Sequence, residues 1–383
     1  MLKQRLNFLT PSNFALSGAG ILGTTQKVAL DRNWPIEEIV LVLGGTVGTA
    51  YTTVLVDGLL KLVKRVNLSI NDGVQPRSVV DMSGVGLLEY ASLAGLNLDR
   101  STLGALALSQ GSTIAISNVF RISYRIPLVH PSITEPLRTR MLLDVQNHPQ
   151  DPILTVDFGA SADVGATGVI TPLICELILV RRHMDAKLNQ DILKSGGYIP
   201  CDLMEQALTL PASTTNGEAR AQIATPGQYL NLFFRQYLGG ASVVARDVVD
   251  AVGTVGSETR WRLESGGSVL REWRWKHLQI INDFSRVANH VNQTYAPNFA
   301  GALAAATTLY QPASSTMLDF LTDGLNDANE LGSLLDCNLP AQSGLKMELI
   351  GNYTTGATAG SAINFGGHRL FGDLSRWQAL KAA

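Results

Sequence analysis

Residues 18–23 read Gly18-Ala19-Gly20-Ile21-Leu22-Gly23, the spacing of a dinucleotide-binding turn. That motif works where glycines turn a strand into a helix whose N-terminus meets a pyrophosphate. Here Asn13–Ser17 makes a poor strand and Thr24–Leu30 a poor helix. Glu37 and Glu38 lie near the distance for a ribose-binding acid, but they open a strand instead of closing one. The stretch therefore reads as part of a flexible arm. The six histidines, His130, His148, His183, His277, His290 and His368, stand singly. None has a second histidine or a carboxylate at metal-ligand spacing. Ser242 follows Gly239-Gly240-Ala241 without the flanks of a nucleophile elbow. Asp323, Asp327 and Glu330 share one loop, but not with EF-hand spacing. Cys175, Cys201 and Cys337 are far apart and odd in number, giving neither a disulfide framework nor a metal site. They read as buried small hydrophobes of a protein made in a reducing cytoplasm.

Trp261, Trp273 and Trp275 lie among Arg262, Arg271, Arg274 and Lys276, and interleaved aromatics and bases can bind single-stranded nucleic acid. Strand alternation instead puts Trp273 and Trp275 on one face and Arg274 and Lys276 on the other. Core tryptophans beneath a charged face are expected. Glu264 and Glu272 flank the same hairpin, yet nothing sets the separation that paired-carboxylate glycan hydrolysis requires. Lys3 and Arg5 could touch anionic lipid head groups, but they are only two charges. Asn7, Pro11, Ser12 and Asn13 interrupt the apolar stretch after them, so a signal peptide is not expected. The longest transmembrane candidate, Val169–Val180, is broken by Pro172 and Glu176. No catalytic, cofactor-binding or metal-binding residue is expected, and the chain reads as no enzyme.

At 383 residues the chain is long for one core, and two domains are the natural expectation. Only 16% of residues are charged, 45% are apolar and 36 are glycine. Such a chain suits a protein that buries much of its surface against itself or its own copies. A net charge of −2 gives no basic field, which argues against binding nucleic acid through the phosphate backbone.

The elements read mostly as short strands. In 117–160, Phe120, Ile122, Tyr124 and Ile126 alternate with Arg121, Ser123 and Arg125 up to Pro127. Leu154, Val156 and Phe158 alternate again after an excursion that starts a short helix near Leu137, Met141 and Leu142. Residues 1–33 read as an arm with a possible edge strand at Val28–Leu30. Ile36–Leu43 is expected as the first firm strand, ended by Gly44-Gly45. Val66, Leu68 and Ile70 oppose Arg65, Asn67 and Ser69, and Asn71-Asp72-Gly73 turns the chain back into Pro76–Val80. Asp81 is expected to cap a helix over Val85–Leu93. Val169–Arg182, nearly continuous in apolar residues, is expected to be covered on both faces. The polar run at 185–197 marks the domain boundary. Tyr229–Leu238 follows, with Leu230, Leu232 and Phe234 on one face. Trp261 and Leu263 then pair through Ser265-Gly266-Gly267-Ser268 with the strand of Trp273 and Trp275. Leu345, Met347 and Leu349 mark a late strand. Short helices are expected around Met317–Leu321 and Ala328–Leu335, and a final turn at Asp373–Leu380 after a Gly-rich tail. The fold class is all-β with short helices: two tandem eight-stranded jelly-roll sandwiches, an arm at 1–33, and rolls over 34–190 and 191–383.

The order of elements across about residues 26–375 carries a resemblance. LKLVKRVNLSINDGVQPRSVVDMSGVGLLEYASLAG (60–95) is strand, turn, strand and helix; 117–160 is strand, excursion and strand; ICELILVRRHMD (174–185) closes the first half. Tyr229–Leu238 runs into Gly-Gly, and GLKMELIGNY (344–353) precedes a Gly-rich end. Together they resemble the double jelly-roll major capsid proteins of tailless, internal-membrane icosahedral bacteriophages, the tectivirus-like lineage. The N-terminal arm is shorter than in that pattern. The resemblance implies a homotrimer whose six jelly rolls mimic a hexagon and tile an icosahedral capsid. It also implies neighbouring capsomers, penton and minor capsid proteins as partners, an internal membrane beneath the base, and a place in the virion after synthesis in the host cytoplasm. Ala- and Thr-rich, charge-poor stretches such as 296–316 suit an obligate interface. Two other readings share the composition: a jelly-roll carbohydrate-binding or glycan-processing protein, and a non-viral self-assembling shell or surface-layer protein.

Overall fold

The computed structural model describes residues 5–8, 21–55, 58–71, 76–94, 96, 113–133, 135, 137–194, 196–199, 201–209, 217–223, 227–237, 260–265, 268–274, 315–320, 335–336, 347–353 and 362–370. Within these the chain forms two compact units, one running to Met204 and the other from Glu205 to Arg369.

The first unit contains β1 (Arg5–Phe8), β2 (Thr25–Ala29), β3 (Ile36–Thr49), β4 (Thr53–Val54), β5 (Val63–Asn71), β6 (Pro76–Ser83), β7 (Val119–Pro127), β8 (Ile153–Phe158), β9 (Gly165–Ala166) and β10 (Val169–Arg182). Its helices are α1 (Gly84–Leu93), α2 (Leu137–Arg140), α3 (Ser161–Val164) and α4 (Ala186–Lys194). One sheet runs β1-β10-β3-β7 and the other contains β2-β8-β5-β6. Set aside the two-residue pair β4·β9 and number the other eight strands in chain order. The sheets then read 1-8-3-6 and 2-7-4-5. This order follows from one long antiparallel hairpin with rungs 1·8, 2·7, 3·6 and 4·5, rolled until strand 8 meets strand 3 and strand 7 meets strand 4. That is a jelly roll.

Period-two patterning fixes which way each strand faces. Phe120, Ile122, Tyr124 and Ile126 of β7, Val66, Leu68 and Ile70 of β5, and Leu154, Val156 and Phe158 of β8 are all buried, as the alternation requires. The Tyr124 hydroxyl, fully buried, donates to the Leu60 carbonyl at 2.9 Å.

Several expectations change. The arm at 1–33 is partly sheet: Arg5–Phe8 pairs with β10, and Thr25–Ala29 pairs with β8 at the edge of the other sheet. Gly44-Gly45 does not end β3, which runs on to Thr49. The strand is central, with Gly44 and Gly45 opposite Arg121 and Phe120 on one side and Ile174 and Leu173 on the other. Ladders on both sides hold the glycines extended. Asp81 caps nothing: it lies in β6 and takes a bidentate bond from Arg65, at 2.5 and 2.7 Å. The cap of α1 is Ser83, whose Oγ accepts the Gly86 N–H at 3.0 Å. Gly84 opens α1 against β5, where a Cβ would stand 2.1 Å from the Val63 carbonyl oxygen.

Helix α4 occupies the polar run at 185–197, with Ile192 buried. Strand β11 (Cys201–Thr209) follows; Leu203 and Met204 pair in parallel with Val80 and Asp81 before the chain passes into the second unit. That unit holds β12 (Gly217–Gln222), β13 (Gln228–Tyr229), β14 (Asn231–Tyr237), β15 (Arg260–Ser265), β16 (Ser268–Arg274), β17 (Ser315–Asp319), β18 (Leu335–Asp336), β19 (Met347–Tyr353) and β20 (Ala362–Leu370). With the small pair β13·β18 set aside, β11-β20-β14-β17 again reads 1-8-3-6, and β12-β19-β15-β16 again reads 2-7-4-5.

The tryptophan hairpin forms as expected, with Trp261 opposite Trp273. Two other readings do not hold, and a third strand buries more than its expected face. Met317 lies in strand β17, not in a helix. Phe233 is buried along with Leu232 and Phe234, so β14 is covered on both faces. The Gly-rich tail contains β20, hydrogen-bonded between β14 and β11. Its Gly367 is dictated by close approach: a Cβ there would stand 2.4 Å from the Asn231 carbonyl oxygen. The residues at 72–75, 97–112 and 373–380, and most of 328–335, lie outside the described ones.

Candidate functional site

The candidate chemistry does not converge. Gly23 has φ +72° and donates its N–H to the Gly159 carbonyl at 3.1 Å, but strand β2 follows it and not a helix. A pyrophosphate site needs a helix there. His130 is buried, with its Nδ1 accepting the Ser132 N–H at 3.3 Å. His183 lies against Trp34 with ring centroids 4.3 Å apart. His368 is buried in β20, its backbone N–H donating to Asn231 Oδ1 at 2.8 Å. Among the described residues no three His, Cys, Asp or Glu side chains are grouped to hold a metal. Glu264 and Glu272 both face Arg262, at 3.9 and 2.9 Å, so the hairpin carboxylates share a cation. Trp273 is half-buried on Phe234, ring centroids 5.5 Å apart. Cys175 and Cys201 are free and buried, and burial pushes both thiols up, Cys175 to about 12. Lys3, Ser242, Trp275, Lys276, His277, His290, Asp323, Asp327, Glu330 and Cys337 lie outside the described residues.

A charged cluster that spacing could not reveal sits at one end of the first unit. Glu37 of β3 is 4% exposed. It accepts Arg138 at 3.0 and 2.5 Å and Arg182 at 2.7 Å. Arg182 also reaches Glu135, which accepts the Thr139 hydroxyl at 2.5 Å. Arg138 further donates to the Pro131 and Ile133 carbonyls, at 3.3 and 3.1 Å. Burial alone would push the Glu37 carboxyl up; the hydrogen bonds and charge of Arg138 and Arg182 outweigh it and hold the group below the ordinary carboxylate range. Glu135 is held low in the same way, by Thr139 and Arg182 against its partial burial. The cluster ties the excursion between β7 and β8 to the ends of β3 and β10. It is a clasp, not a reaction centre, because its carboxylates stay ionised and matched to guanidinium groups.

The other unusual feature is the outer face of the sheet β1-β10-β3-β7. Rows across it read Val180–Glu38–Pro127, Ile178–Val40–Arg125, Glu176–Val42–Ser123 and Ile174–Gly44–Arg121. The inner face of β10, with Leu173, Cys175, Leu177 and Leu179, is buried. The outer face is mixed: Ile174 is 44% exposed and Val169 40%, whereas Val42, Ser123 and Pro127 of the neighbouring strands are buried. The expectation that both faces of β10 are covered thus fails at Val169, Thr171, Ile174 and Glu176, while Ile178 and Val180 are half-buried.

No protein-family model matches this sequence, and no curated protein matches it. Solved structures match in fold. The crystal structure of the STIV MCP aligns with a TM-score of 0.60 at 16% identity, over 99% of this chain and 98% of that one. PBCV-1 VP54, fitted into a reconstruction of the virophage Sputnik, aligns with a TM-score of 0.55 at 13% identity, over 91% and 90%. The major capsid protein P2 from bacteriophage PM2 aligns with a TM-score of 0.50 at 10% identity, over 97% and 98%. At these identities the likeness establishes the fold: mostly β with a few short helices, a double jelly roll matched over nearly its full length.

Proposed function

We propose that this protein is the major capsid protein of an icosahedral virus, a structural component of the virion without catalytic activity. Three chains form a trimer whose six jelly rolls make a pseudo-hexagonal tile, and the tiles cover a shell around an internal membrane, as in the tectivirus-like bacteriophages. The first roll ends at residue 190, and the second, with its long loops, fills 191–383. One observation carries this reading: the strand order 1-8-3-6 with 2-7-4-5 occurs twice in tandem, at a length matched end to end by capsid proteins. A single enzyme or lectin sandwich needs the order once, whereas a trimer that imitates a hexagon needs it twice per chain. The placement of Glu264 and Glu272 around Arg262 gives the glycan-processing reading no support.

Negative-stain microscopy of particles from the native source tests the proposal. Pseudo-hexagonal capsomers on an icosahedral shell are expected. A planar lattice would transfer the protein to the surface-layer class, and glycan-array binding or hydrolysis would transfer it to the carbohydrate class.

A further inference from the structure

We propose that the outer face of the sheet β1-β10-β3-β7 is an assembly surface, and that its occupant is a second copy of this chain. The inference rests on the trimer reading above and adds to it the surface through which one copy meets the next.

The composition of the face is the first ground. Seven large apolar side chains are exposed among the described residues: Ile116, Val119, Ile153, Val169, Ile174, Leu193 and Val269. Val119, Val169 and Ile174 lie on this one face, and Ile116, 61% exposed, lies just before β7. Half-buried Val40, Ile178 and Val180 continue the strip. Antiparallel strands that face water on one side alternate apolar with polar residues. Strand β10 does not: its outward positions are Val169, Thr171, Ile174, Glu176, Ile178 and Val180. The sequence of β10 is written for burial on both faces, and among the described residues its outward positions Val169, Thr171, Ile174 and Glu176 are exposed.

Size is the second ground. Strands β10 and β3 each have 14 residues. At about 3.3 Å per residue the face is roughly 45 Å long, and β10, β3 and β7 at about 4.8 Å spacing make it roughly 14 Å wide. Because β7 has nine residues, the projected area is about 590 Å² before side-chain relief is added, roughly three-quarters of the ~800 Å² per partner of a standard interface.

Charge is the third. Arg125 is bound bidentately by Glu38 on the same face, at 2.5 and 2.7 Å, so this pair brings no unmatched charge to a contact. A net charge of −2 over 383 residues leaves little repulsion between copies. A trimer closes only through heterologous contacts, so the face meets a different surface of the neighbour and not its own image.

The test is a double change, Ile174→Lys with Ile178→Lys, beside Leu193→Lys on α4. These side chains point away from the core, so each variant is expected to keep the wild-type circular dichroism. In sedimentation velocity the double variant should dissociate at chain concentrations at least about 100-fold higher than wild type, with Leu193→Lys unchanged. A double variant as trimeric as wild type overturns the surface assignment and leaves the capsid reading standing. A wild-type chain that is itself monomeric overturns the capsid reading. If the double variant fails to fold, carbene footprinting of the wild type decides: the peptide bearing Val169 and Ile174 should be labelled less in the trimer than after dilution to monomer. Equal labelling overturns the assignment.

Discussion

Changing Glu37 to Gln keeps the shape of the clasp and removes its central charge. The Glu37 side chain is 5% exposed, and Arg138 and Arg182 are each 19% exposed, so both guanidinium groups would face an uncharged amide with little water to replace it. Removing one partner of a buried ion pair typically costs about 3–5 kcal/mol. Arg182 keeps Glu135, and the amide oxygen can still accept one hydrogen bond, which puts the expected cost at the low end, about 3 kcal/mol. For a unit of this size that corresponds to a melting temperature lower by roughly 6–12 °C at pH 7. Calorimetry at one fixed chain concentration is the assay, because assembly also shifts the transition.

The pH dependence follows from the sign of the shift. Glu37 and Glu135 are held below the unfolded carboxylate value of about 4.3, so their contribution is fully present above it. It is lost as pH falls through their lower folded values. The gap between wild type and Glu37→Gln should therefore be widest near neutrality and shrink below about pH 4. Equal melting temperatures at pH 7, or a gap that persists undiminished in acid, would refute the clasp.

Gly84→Ala puts a Cβ 2.1 Å from the Val63 carbonyl oxygen and forces the first turn of α1 off β5; denaturant unfolding should show a loss of about 1–3 kcal/mol, and no loss would contradict the packing. Tyr124→Phe leaves the Leu60 carbonyl without its buried donor and should cost about 1–2 kcal/mol in the same measurement. Cys175 and Cys201 should resist alkylation at pH 8 in the native protein and react only once it is unfolded, as read by peptide mapping. Labelling of either in the folded chain would show that its surroundings open.

Strands with one wet face were legible from alternation: β5, β7, β8 and the β15–β16 hairpin form where period two puts them. Strands covered on both faces carry no such period. That is why β17 read as a helix around Met317 and β20 as a glycine-rich tail, although Phe365 and Leu370 are buried. Gly367 of β20 answers to a close approach to the Asn231 carbonyl, which no local pattern announces. Asp81 looked like a cap because position alone suggested it; its cross-strand partner Arg65 decided otherwise. The clasp was invisible for a related reason. Arg138 and Arg182 lie 101 and 145 residues from Glu37, beyond any spacing rule, and only the rolled hairpin brings them together. The sidedness of β10 is the instructive case, since its sequence pointed to cover on both faces while Val169 and Ile174 stand 40% and 44% exposed.

Under the proposed function, two jelly rolls in tandem build a trimeric tile. Light scattering on the purified 383-residue chain at micromolar concentration, without added cofactor, tests this most directly. The expected result is one species of about three times the 41.1 kDa chain mass. A monodisperse monomer would contradict it.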